Sequence, residues 1–86
     1  SYKRKGLDMK KITCRELGGA CDLIFEGNTF SEVASQSQAH GMTMSKAQDQ
    51  AHLDAMKEMG KLMGEPAAMQ KWMQEKEDYF NALPDV

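Results

Sequence analysis

The chain has 86 residues, enough for one small core, because a domain of this size buries only about 60% of the surface its unfolded chain exposes. Hydrophobic residues at 41% and charged residues at 28% place it with ordinary globular sequences, away from disordered or collagen-like ones. A formal charge of −2 from 11 basic and 13 acidic residues argues against general nucleic-acid binding, which needs clustered Lys and Arg on phosphate, and no apolar run approaches the roughly 20 residues that span a bilayer.

Residues 1–8 carry no usable apolar period, whereas Met9-Lys10-Lys11-Ile12 reads as a natural start followed by a strand. Residues 1–8 are therefore expected to be an added leader, and residues 9–86 a single small α+β domain. Without Lys3, Arg4, Lys5 and Asp8 the counts become 8 basic and 12 acidic, a formal charge of −4. The start at Met9 lacks the apolar segment of a secretory signal, so a cytoplasmic location is expected. There two cysteines are more often thiols, metal ligands or redox groups than a structural disulfide.

From Lys11 to Arg15 and again from Ala20 to Glu26, apolar residues alternate, with Leu17-Gly18-Gly19 between them. This pattern predicts a β-hairpin. With Cys14 opposite Cys21, Ile12 would face Leu23, and Ile12, Cys14, Cys21, Leu23 and Phe25 would share one side of the sheet. Thr29-Phe30-Ser31-Glu32 has the spacing of a capping box and predicts a helix to about His40, ended by Gly41. Phe30, Val33, Ser37 and His40 recur at helical steps, which puts His40 on the face that meets the hairpin.

Ser45-Lys46-Ala47-Gln48 offers a second capping box. The following helix, reaching about Met63, carries His52, Ala55, Met56, Met59, Leu62 and Met63 on one stripe. Pro66 suits the first turn of a third helix with Met69, Trp72, Met73, Phe80 and Leu83 on one face, stopped by Pro84. The short Gly64-Glu65 link predicts an αα-hairpin. The expected fold is thus α+β: a β-hairpin packed by one helix, followed by a C-terminal αα-hairpin.

Cys14 and Cys21 are too far apart in sequence for a common zinc knuckle. A hairpin nevertheless brings both sulfurs to one side, where His40 can add an imidazole nitrogen. Such ligands suit tetrahedral zinc, and a thiolate pair also suits copper(I). Cys14, Cys21 and His40 are the candidate metal ligands, and Asp22, His52, Met42 or water can take a fourth position. Alternatively, the cysteines are small buried hydrophobes and His40 a satisfied helix-end histidine. The 8 methionines read first as packing residues, with Met42 and Met44 less clearly so. Lys71, Glu75, Lys76, Glu77 and Asp78 fit a solvated helix face better than a catalytic carboxylate pair.

Taken together, Cys14-Arg15-Glu16-Leu17-Gly18-Gly19 with Cys21-Asp22, Phe25-Glu26-Gly27, Glu32-Val33 and His40 resembles an uncharacterised prokaryotic family, a domain of unknown function labelled "predicted small metal-binding protein". The resemblance covers roughly residues 9–44, and longer members also resemble this chain through Ala51-His52-Leu53, Ala68-Met69-Gln70-Lys71-Trp72 and Ala82-Leu83-Pro84. It implies only that label, with metal as the family's suspected ligand, and brings no reaction or substrate. Shorter members often carry a further histidine where this chain has Ser45.

The expected function is that of a non-enzymatic binding protein holding a thiophilic metal, zinc ahead of copper. The alternative is a metal-free module whose Met56, Met59, Met63, Trp72 and Met73 surface joins a second copy or another protein. A homodimer is expected, since a lone hairpin is marginal in water and an open sheet edge can pair with another chain. A third reading, thiol redox chemistry, has Cys14 or Cys21 as nucleophile and His40 as base.

Overall fold

A computed structural model of the protein describes residues 9–86, so the expected leader lies outside the described residues. Strands β1 (Lys10–Thr13) and β2 (Ile24–Gly27) pair antiparallel, followed by helices α1 (Phe30–Lys46), α2 (Gln50–Met63) and α3 (Pro66–Ala82). This is the expected α+β order of hairpin, covering helix and αα-hairpin.

The register differs from expectation. Ile12 pairs with Phe25 and Thr13 with Ile24, two residues away from the anticipated Ile12–Leu23 pairing. A two-residue slip leaves each side chain on its face, because strand side chains alternate with period two. Ile12 and Phe25 therefore still point into the core, whereas Leu23 falls before β2 begins and is 47% exposed.

The cause is the connection between the strands. After Thr13 the chain makes a 3-10 turn at Arg15–Leu17, and Gly18 closes it at φ 92°, a left-handed conformation that costs glycine little. Cys14 N–H then donates to Leu23 O and Arg15 N–H to Cys21 O, each at 2.8 Å. Cys14 and Cys21 thus lie in a folded loop beyond the end of the sheet, not in a cross-strand pair.

Thr29 caps α1 as expected: its side chain accepts from Glu32 N–H, and the Glu32 carboxylate accepts from Thr29 N–H. The helix does not stop at Gly41 but continues to Lys46. A mid-helix glycine costs about 1 kcal/mol against alanine, too little to break a helix that is packed on both sides of it. The end comes at Gln48, which takes φ 59°. Ser45 consequently sits inside α1 and does not cap α2; Asp49 performs that role, its side chain accepting from His52 N–H. Pro66 opens α3 as expected.

Ile12, Leu17, Phe25, Val33 and Phe80 form the buried core together with Cys14, and Phe30, Cys21 and Leu83 pack against it. Phe80 brings α3 into this core, its ring 6.2 Å from that of Phe30. Beyond α3 the chain returns to β1, where Val86 N–H donates to Met9 O at 2.8 Å and Lys10 pairs with Asp85 at 2.9 Å. Among the described residues no helix is long and apolar enough to cross a membrane.

Candidate metal centre

Four side chains from three segments converge beside the core: Cys14 and Cys21 from the interstrand loop, His40 from α1 and His52 from α2. One donor atom from each lies within 4.8 Å of all the others. Cys21 Sγ is 3.3 Å from His40 Nε2, and Cys14 Sγ is 3.6 Å from His52 Nε2. Tetrahedral zinc with bonds of about 2.0–2.3 Å spaces its donors by roughly 3.3–3.8 Å. These two separations fall in that range.

Each position has a local cause. Cys14 follows the last β1 residue, and its amide is held to Leu23, so its side chain turns inward at the start of the 3-10 turn and is buried. Room for its sulfur comes from Gly19, where a Cβ would overlap Cys14 Sγ. The Thr29 cap sets the phase of α1, and three turns later His40 meets both the Phe25 ring at 5.9 Å and the His52 ring at 5.1 Å, each edge-on. His52 lies in the first turn of α2, directly above the Asp49 cap.

Asp49 does more than cap. Its Oδ2 accepts from His52 N–H at 3.0 Å and also lies 2.6 Å from His52 Nδ1. With Nδ1 engaged by the carboxylate, Nε2 is the ring nitrogen that faces the Cys14 sulfur. Metal-bound histidines are characteristically held by such a carboxylate partner, which fixes both tautomer and ring orientation.

The same contacts shift the ionisations. Hydrogen bonding to Asp49 raises the His52 pKa, and that bond lowers the Asp49 pKa. The backbone N–H of Leu23 lowers the Cys21 thiol, with His52 adding to the effect. Burial raises the Cys14 thiol. A raised, buried thiol is the reverse of an activated nucleophile. Cys21, lowered and facing His40, is the more acidic of the pair.

The three residues singled out as ligands from sequence, Cys14, Cys21 and His40, are therefore brought together. Of the four named for the remaining position, His52 joins them. Asp22 instead pairs with Arg15 at 3.1 Å on the surface. Met42 is 61% exposed and outside the cluster, although it lines an adjoining cavity. Asp49 was not anticipated; its signal was the Asp49-x-x-His52 spacing, which lets one carboxylate reach both the amide and the ring of the later residue.

A cavity of about 560 Å³ opens beside Cys14, His40 and His52, walled by Trp72 and by methionines of α1, α2 and α3. In comparisons with known proteins the chain matches no protein-family model, no curated protein and no solved structure.

Proposed function

We propose that the chain is a non-enzymatic metal-binding protein that holds zinc through Cys14, Cys21, His40 and His52. The observation that carries this reading is the convergence of four donor atoms within 4.8 Å, one of them on an imidazole whose other nitrogen is engaged by Asp49. Two thiolates and two imidazoles are a common structural zinc set, and four protein donors leave no open coordination position. Zinc so held would join the interstrand loop to α1 and α2, adding stability where an 86-residue chain has little core. The resemblance to the family labelled "predicted small metal-binding protein" points the same way, and we propose membership of it.

Metal analysis of protein purified without added metal tests the reading. The expected result is about one zinc per chain, absent from a Cys14→Ser/Cys21→Ser variant, and a thermal midpoint lowered by chelator. A metal-free wild-type protein whose fold ignores chelator would overturn it.

A second reading, a homodimer joined through the methionine face, is favoured by the exposure of Met63 (63%) and Met73 (39%). Light scattering decides it, since a strict monomer at high concentration removes its support.

A further inference from the structure

Methionine is distributed unevenly in this molecule. Among the described residues the buried core consists of Ile, Leu, Val and Phe with Cys14, and contains no methionine. Six of the 8 methionines, Met42, Met56, Met59, Met63, Met69 and Met73, instead line the cavity that Cys14, His40 and His52 also line. Core packing alone gives no reason for this segregation, because Leu would fill the same helical positions with less loss of side-chain entropy.

Two of the thioethers stand against glycines that neighbour the cluster. Met59 Sδ is 3.1 Å from the point where a Gly18 Cβ would lie, and Gly18 adjoins the Gly19 that seats the Cys14 sulfur. Met56 Cε is 3.6 Å from the corresponding point on Gly41, the residue after His40. Soft, uncharged thioether sulfur binds copper(I) and does not compete for zinc, while thiolate binds both. The cavity therefore presents donors selective for a soft monovalent ion beside a centre that takes either metal.

We propose that the methionine wall is a vestibule that captures copper(I) and passes it to the cluster, where it displaces zinc. Capture rests on the methionines alone; displacement rests also on the reading of the cluster as a zinc centre. The exchange is one of ligands only. Copper(I) enters, zinc(II) leaves, the Zn–S and Zn–N bonds are replaced by bonds to copper, and no electron is transferred.

Capture is tested by NMR with methionine ε-methyl labels, using silver(I) as a diamagnetic thioether-binding probe and zinc as control, on the full chain and on a Cys14→Ser/Cys21→Ser variant. Silver should shift the Met56 and Met59 methyl signals in both proteins, while zinc leaves those of the variant unmoved. Unshifted methyls overturn the proposal whether or not the wild-type protein binds zinc, so its failure is separable from that of the zinc reading. A dimer that buries the wall would give this negative result.

Displacement is tested anaerobically by zinc release to a chromophoric chelator on addition of copper(I), comparing wild type with Met56→Leu/Met59→Leu/Met63→Leu, exchanges that nearly conserve volume. The variant should bind zinc as the wild type does yet release it to copper(I) about tenfold more slowly, having lost its soft donors. Equal release rates overturn the passage of copper through the vestibule.

Discussion

Asp49 Oδ2 and His52 Nδ1 lie 2.6 Å apart, and this contact couples the start of α2 to the candidate metal centre. The carboxylate has two tasks, capping the helix and orienting an imidazole, and two substitutions separate them. Asp49→Asn retains a good N-cap but loses the charge that engages Nδ1. It should leave metal-free stability nearly unchanged while zinc affinity falls by about 10–100-fold, the usual cost of losing such a partner. Asp49→Ala should add a helix-cap loss of about 1 kcal/mol. Competition with a chromophoric chelator and urea denaturation measure the two effects; full affinity in the Asn variant would show that Asp49 serves α2 alone.

Gly19 provides a test that removes no ligand. Its backbone is not left-handed, yet a Cβ there would overlap Cys14 Sγ. Gly19→Ala should therefore push the sulfur away from His52 and weaken zinc binding by tenfold or more, about what a displaced thiolate ligand costs. Gly18→Ala makes the complementary comparison. It strains a backbone at φ 92° and should cost about 1 kcal/mol of stability, without a direct clash at Cys14. Equal zinc affinities in wild type and Gly19→Ala would refute the placement of the Cys14 sulfur.

How much of this was legible in the sequence depends on how local each cause is. The Thr29–Glu32 capping box and Pro66 at the start of α3 are short-range chemistry, and both elements begin where the spacing puts them. Strand register is different, because a shift by two preserves every inward and outward assignment; alternation cannot distinguish Ile12–Leu23 from Ile12–Phe25. Gly41 reads as a stop, yet its backbone stays helical, with no left-handed turn there. That turn falls at Gln48 instead. Cys14, Cys21 and His40 group in the sequence because alternation puts both cysteines on one side of a hairpin and His40 shares a phase with Val33; the three do converge, although the cysteines meet through the folded interstrand loop and not as a cross-strand pair. His52 stood only among several candidates for the last position, because helical phase does not say which turn of a neighbouring helix arrives at a site.

Phe80 should dominate stability outside the metal centre. It is fully buried and is the one α3 residue in the core of Ile12, Leu17, Phe25 and Val33. Phe80→Ala should cost about 3–5 kcal/mol, transfer loss plus a cavity, which is a large share of the roughly 5–15 kcal/mol typical of a folded domain. Phe80→Leu should cost clearly less. If zinc links the loop to α1 and α2, saturating metal should restore part of the lost thermal midpoint in Phe80→Ala, since ligand bound only to the folded form stabilises it. Scanning calorimetry with and without zinc measures both quantities.

The last prediction concerns pH and the tie between the interstrand loop and α3. Tyr79 donates its hydroxyl to Glu16 Oε2, while Glu16 Oε1 accepts from both the backbone and the hydroxyl of Thr13. The Tyr79 hydroxyl, with Thr13 second, holds the Glu16 carboxyl below its ordinary value of 4.5. The folded form thus binds fewer protons than the unfolded chain in this range, so the contribution is complete above 4.5 and disappears as pH falls through the depressed folded value. Tyr79 has the opposite sign. Its bond to Glu16 raises it above the ordinary 10.0, so its contribution is present below 10.0 and is lost as pH rises through the raised value. Tyr79→Phe removes the donor and should reduce the stability difference from wild type at both extremes, leaving the largest deficit between them. Urea midpoints measured across pH on metal-free protein give the profile, and a deficit that stays constant from acid to alkaline pH would show that this hydrogen bond does not link the loop to α3 in solution.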